Sequence, residues 1–131
     1  MRLSENSLWG YNNKDIDARR TNAIFNWFGS RGNALSMAQA MENIKNDDSI
    51  RLVDVRSPEE YRDGHIPGSI SIPLDQLNRI EQLIPDKNAT IYAYCHSGSR
   101  SGMAVAAMGR MGYTKATNIG GIMSYRGQLA R

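Results

Sequence analysis

The spacing of hydrophobic positions changes several times along the chain, and each change marks an element. Met37, Ala40, Met41 and Ile44 recur at the three- and four-residue interval of one helical face, with Ser36 standing as N-cap of a helix running to about Asn46. Residues 50–55, Ile50-Arg51-Leu52-Val53-Asp54-Val55, read as a strand. Ser57-Pro58-Glu59-Glu60 reads as a helix start: Ser57 caps, Pro58 takes the first helical position, and Glu60 completes a capping box. The cluster Gly64-His65-Ile66-Pro67-Gly68 is a turn, and residues 69–72 are a short strand stopped by Pro73. Leu74, Leu77, Ile80, Leu83 and Ile84 predict a helix over 74–84, ended by Pro85. Residues 90–95 are the next strand, and 101–111 a helix rich in Ala, Gly and Met whose small side chains suit close packing on a sheet. Residues 115–119 are a last strand, Gly120-Gly121 a sharp turn, and 122–129 a short terminal helix. Helices lying between strands predict an α/β domain with a mostly parallel sheet and right-handed crossovers.

Composition narrows the possibilities. The chain has 131 residues, a size for one domain, and 40% hydrophobic content is enough for one core. We divide it into an irregular N-terminal extension, 1–33, and a domain, 34–131. The extension is polar and rich in Asn and Arg, and its Trp9, Tyr11, Phe25, Trp27 and Phe28 are expected over the domain surface, between chains, or on a partner. The net charge of +3 is carried by scattered Lys and Arg with no run longer than Arg19-Arg20, so no nucleic-acid partner is expected. No stretch approaches the ~18 apolar residues of a membrane span, and the first residues lack the apolar core of a signal peptide, so a cytoplasmic location is expected. One cysteine excludes an internal disulfide and a multi-cysteine metal cage, and suits a reducing compartment. The seven methionines read as core packing rather than a metal site.

That cysteine carries the candidate chemistry. Cys95 closes the apolar run Thr90-Ile91-Tyr92-Ala93-Tyr94 and opens the small polar loop His96-Ser97-Gly98-Ser99-Arg100, directly before a helix. In an open α/β sheet, ligands bind outside the carboxyl ends of the strands. A glycine-bearing loop there curls its amides inward and binds an anion, and the helix N-terminus adds unpaired N–H groups and positive potential. Such surroundings stabilise a thiolate. The pattern therefore predicts a nucleophilic or sulfur-carrying Cys95 in an amide cradle, against the alternative of an inert buried cysteine.

Four segments together carry a family resemblance. Residues 52–61 (LVDVRSPEEY), 64–73 (GHIPGSISIP), 94–101 (YCHSGSRS) and 118–122 (NIGGI) make the chain similar to a single-domain rhodanese, a sulfurtransferase, from about Leu35 to Gly127. The resemblance implies a three-layer rhodanese-like domain: a five-stranded parallel sheet with helices on both faces. It also implies that Cys95 takes sulfane sulfur as a persulfide from a donor such as thiosulfate. The sulfur then passes to a thiophilic acceptor such as cyanide or a protein thiol, with no metal or organic cofactor. The six-residue loop from Cys95 to Arg100 resembles the family's sulfur-handling members; the related phosphatases have one residue more. A thiolate phosphatase or arsenate reductase, and a non-enzymatic sulfur-carrier or regulatory module, are the alternatives.

Around the loop, several residues have two readings each. Asp54 and Arg56 end a strand near the rim; they form an ion pair that shapes the loop, or Arg56 attracts the anionic donor. Glu60 reads as the capping-box carboxylate rather than a base. His65 fixes a turn or shuttles a proton. His96 lends charge near neutral pH or contributes only its backbone N–H. Arg100 faces the donor or pairs with a carboxylate such as Glu60. The Ser101 hydroxyl bonds the thiolate or merely begins the helix. Tyr125 stands where the family commonly closes its last motif with another aromatic.

Overall fold

A computed structural model describes residues 34–131, and the aromatic positions of 1–33 lie outside the described residues. Among those described, helix α1 (Met37–Asn46) opens where Ser36 Oγ accepts the Gln39 amide at 3.1 Å. Strand β1 (Arg51–Asp54) and helix α2 (Pro58–Asp63) follow. The capping box of α2 is complete: Ser57 Oγ accepts the Glu60 amide at 3.2 Å, and Glu60 Oε1 accepts the Ser57 amide at 3.0 Å. After β2 (Ile70–Ser71) come a 3-10 segment, Leu74–Arg79, and a short helix α3 (Ile80–Leu83). Strand β3 (Thr90–Cys95), helix α4 (Ser99–Arg110), strand β4 (Lys115–Gly121) and a 3-10 turn (Ile122–Ser124) complete the order.

The strands lie in the order β2-β1-β3-β4, all parallel. Because β1 and β3 are central, alternate residues feed two separate cores. Val53, Ile91, Ala93 and Cys95 point to one face, where Ile80, Ile84, Ala104 and Met108 cover them. Leu52, Tyr92 and Tyr94 point to the other, with Met37, Ala40 and Ile66. This parity decides the site, since it sends Cys95 toward α4 and Tyr94 away from it.

Four expectations need correction. The described sheet has four strands, not five. Among the described residues, β4 accepts one backbone hydrogen bond beyond the β3 ladder, from the Leu35 N–H to the Asn118 carbonyl at 3.2 Å. Ser36 then caps α1 at once, so the chain turns into helix directly after that contact. Residues 74–84 are not one α-helix: Pro73 sets up a tight turn in which its carbonyl accepts the Gln76 amide at 2.8 Å, and Gln76 (φ −122°, ψ 25°) breaks the regular path before α3. The Gly120-Gly121 pair lies within β4 rather than beyond it. The terminal helix stops at Ser124, because Tyr125 is extended and Ala130 returns to pair with His65 through backbone bonds of 2.9 and 2.8 Å.

Candidate active site

The site is built from the end of β3 and the start of α4. Gly98 stands between them at φ 113°, ψ −11°, a left-handed conformation that suits glycine. This turn brings the Gly98 amide to 3.0 Å from Cys95 Sγ. It also starts α4 two residues earlier than the pattern suggested, with Gly98 as N-cap and Ser99 as first residue. One turn on, the fully buried Ser101 directs its hydroxyl at Sγ from 3.4 Å. His96, Ser97 and Ser99 are exposed along the outside of the loop, while Cys95 is only 1% exposed. Burial opposes ionisation of the thiol most strongly. The Ser101 hydroxyl and the amides of Ser101, Gly98 and Ser97 together outweigh it, so the thiol titrates below its ordinary value. The aligned N–H groups at the start of α4 favour the same charged form.

The loop rests on Gly121. A β-carbon there would overlap the backbone of His96 and Ser97, so only glycine lets the last strand pass beneath the cysteine loop. The His96 carbonyl accepts the Met123 amide at 3.3 Å, which ties the same loop to the segment after β4. Asn118 also reaches in from β4: Nδ2 donates to the Gly98 carbonyl at 3.0 Å, and Oδ1 lies 2.7 Å from Ser101 Oγ.

The two arginines near the rim are already partnered. Arg100 meets Glu60 through both guanidinium nitrogens, at 2.7 and 3.1 Å. Arg56, only 5% exposed, meets the buried Asp54 carboxylate at 2.8 to 3.1 Å and donates to the Gly64 carbonyl at 2.7 Å. It is a strut joining the end of β1 to the next turn. His65 stacks on Tyr61 with ring centres 3.7 Å apart, and its Nδ1–H donates to the Tyr61 carbonyl at 2.9 Å. The sequence-expected residues thus fall into groups: Cys95, Gly98 and Ser101 meet at the sulfur, Arg100 joins Glu60 beside it, Arg56 joins Asp54 below, and His65 serves a turn. A cleft of about 290 Å³ lined by Val55, Ser57, Pro73, Leu74, Asp75 and Arg100 adjoins the loop. Among the described residues, no three His, Cys, Asp or Glu side chains gather where they could share a metal ion. No helix among them is long and apolar enough to cross a membrane.

Comparison with known proteins identifies the family. The family model for the Rhodanese-like domain matches residues 36–128. The chain belongs to the rhodanese-like family. This rhodanese-like domain is 45% identical over 71 residues to the thiosulfate sulfurtransferase PspE of Escherichia coli, covering 53% of this chain and 68% of that one. It is 36% identical over 85 residues to the putative sulfur carrier protein YrkF of Bacillus subtilis, covering 65% of this chain but only 45% of that relative. A solved structure described as a rhodanese with anions from E. coli superposes with a TM-score of 0.60 at 38% identity, over 63% of this chain and 98% of that one. The rhodanese-like domain is thus of the sulfurtransferase kind.

Two contributors to the site escaped the sequence reading as individuals. Asn118 and Gly121 were visible only as part of the motif Asn118-Ile119-Gly120-Gly121. A glycine pair at the carboxyl end of the last strand was the available signal for close backbone approach.

Proposed function

We propose that this domain carries sulfane sulfur on Cys95, loading it from an anionic donor of the thiosulfate type and unloading it to a thiophilic acceptor such as cyanide or a protein thiol. The Cys95 thiolate attacks the outer sulfur of the donor. A Cys95 Sγ–S bond forms, and the donor's S–S bond breaks with its electron pair leaving on sulfite. The acceptor nucleophile then attacks the outer sulfur of the persulfide, and the Sγ–S electron pair returns to Cys95. Loading and unloading leave the enzyme unchanged, without an external oxidant or reductant.

The observation that carries this reading is the convergence of the Gly98 amide and the Ser101 hydroxyl on Sγ, while the Arg100 guanidinium is turned to Glu60. Preorganised donors at a buried sulfur stabilise charge there and need no rearrangement as the charge moves. A phosphatase needs a cationic clamp on the transferring oxygens, and Arg100 bound at both nitrogens to Glu60 argues against that role. The anions in the E. coli rhodanese structure and the name of PspE support an anionic donor. The name of the B. subtilis relative favours a second form of the same chemistry, in which the loaded cysteine serves as a carrier for another protein.

Treatment with thiosulfate should add one sulfur to the intact mass, located on the Cys95 peptide, and cyanide should remove it as thiocyanate. Cys95→Ser should abolish both while keeping the circular-dichroism spectrum. Thiocyanate production by the serine variant would show that another group is the nucleophile.

A further inference from the structure

The Asn118 side chain makes three hydrogen bonds, and all of them converge on the cysteine loop and its support. Its amide orientation follows from partners of fixed polarity. The Gly120 N–H can only donate, and lies 2.9 Å from Oδ1; the Gly98 carbonyl can only accept, and lies 3.0 Å from Nδ2. Oδ1 therefore also faces the Ser101 hydroxyl, at 2.7 Å.

Ser101 has one hydrogen and several acceptors in reach. Besides Oδ1 and Cys95 Sγ at 3.4 Å, these are the Gly98 carbonyl at 3.2 Å and the Gly120 carbonyl at 3.4 Å. A serine within a helix ordinarily gives its hydrogen to a carbonyl one turn back, and for Ser101 the available one is that of Gly98. Here that carbonyl already accepts the Gly102 amide at 3.1 Å and Asn118 Nδ2 at 3.0 Å. Two donors fill the two lone pairs of a carbonyl oxygen. The Ser101 hydrogen is thereby displaced from its default partner; the Gly120 carbonyl at 3.4 Å lies beyond ordinary O–H···O range, whereas the larger sulfur is in reach at that distance, so its two choices become Oδ1 and Sγ.

We propose that Asn118 is a positioning residue of the reaction: Nδ2 occupies the Gly98 carbonyl, and Oδ1 gives the Ser101 hydrogen a second resting place, so that hydrogen turns to Cys95 Sγ when the sulfur is charged and to Asn118 when it is not. The second half rests on the persulfide reading above, since negative charge leaves Sγ when the outer sulfur is bound and returns on unloading. A fully buried hydroxyl is never left without an acceptor in either state. No bond to hydrogen breaks; only the hydroxyl rotates.

The test is a double-substitution cycle read on the single cysteine. Asn118→Ala frees the Gly98 carbonyl, which recaptures the Ser101 hydrogen. Ser101→Ala removes that hydrogen. Each variant should raise the midpoint of the pH dependence of Cys95 alkylation by iodoacetamide by about one unit, a roughly tenfold loss of thiolate below the midpoint. The double variant should shift no further than either single one. Additive shifts, or an unmoved midpoint in Asn118→Ala, would overturn the proposal. If Asn118→Ala loses its native circular-dichroism spectrum, Asn118→Thr replaces it, because it too lacks the planar amide and must show the same non-additivity. Alkylation needs no sulfur donor, so this result stands apart from whether the persulfide forms.

Discussion

Replacing Glu60 by Gln separates bracing of the loop from capture of the donor. Glutamine keeps an acceptor for the Ser57 amide, so the capping box survives, but its NH₂ group opposes the Arg100 nitrogens. Hydrogen bonding to Arg100, opposed by burial and then aided by Ser57, brings the Glu60 carboxyl from 4.5 down to about 2. At ~1.36 kcal/mol per pH unit that fall sets a ceiling of roughly 3 kcal/mol. The two side chains are 36% and 34% exposed, and screening by solvent reduces the contribution to about 1–2 kcal/mol. The folded value lies below the unfolded one, so the stabilisation is complete above pH 4.5 and is lost as pH falls toward about 2. Urea unfolding should therefore show Glu60→Gln weaker than the parent by about 1–2 kcal/mol at neutral pH, with the gap closing in acid. Arg100→Ala should cost a similar amount, the double variant little more than either, and the Michaelis constant for thiosulfate should move alike in all three. A donor constant that rises steeply in Arg100→Ala while Glu60→Gln leaves it unchanged would refute the bracing role and place the guanidinium on the donor.

Three further substitutions test the packing. Gly121→Ala drives a β-carbon into the His96–Ser97 backbone and should lower stability by about 1–3 kcal/mol together with thiocyanate formation. Gly109→Ala in α4, where nothing lies within 4 Å of the added carbon, should be neutral or stabilising by up to ~1 kcal/mol, and calorimetry that ranks the two variants equally would contradict the close approach. Tyr94→Phe removes the hydroxyl that accepts the Ile66 amide at 3.0 Å and shares a hydrogen bond with Ser69 Oγ at 3.1 Å. Leaving that buried amide unpartnered should destabilise the domain by about 1–3 kcal/mol and speed its hydrogen exchange. The Cys95 alkylation midpoint should stay put, because Tyr94 faces the opposite core.

Much of the site was legible because its causes are local. The Ser57-Pro58-Glu59-Glu60 cap involves one turn of chain, and it forms as read. The placement of Cys95 at the end of a buried strand, ahead of a small loop and a helix, follows from an apolar run meeting Gly98. By contrast, the segment 122–129 carries helical spacing, yet it straightens after Ser124 because Ala130 pairs with His65, a partner outside any local window. The 74–84 pattern also placed the right residues in the core, with Leu77, Ile80 and Ile84 buried, although the backbone there is mostly 3-10.

The amino-acid sequence by itself determined the α/β alternation, the cysteine loop and its family, since hydrophobic period, capping and turn chemistry act within a few residues. Only the tertiary structure decided which charged and polar groups meet. Arg100 finds Glu60 forty positions earlier, Asn118 reaches back to Gly98 across twenty, and the parity of β3 aims Cys95 at Ser101. A long polar side chain chooses its partner by distance in space, and that distance exists only once the parallel sheet has brought the strand ends to one rim.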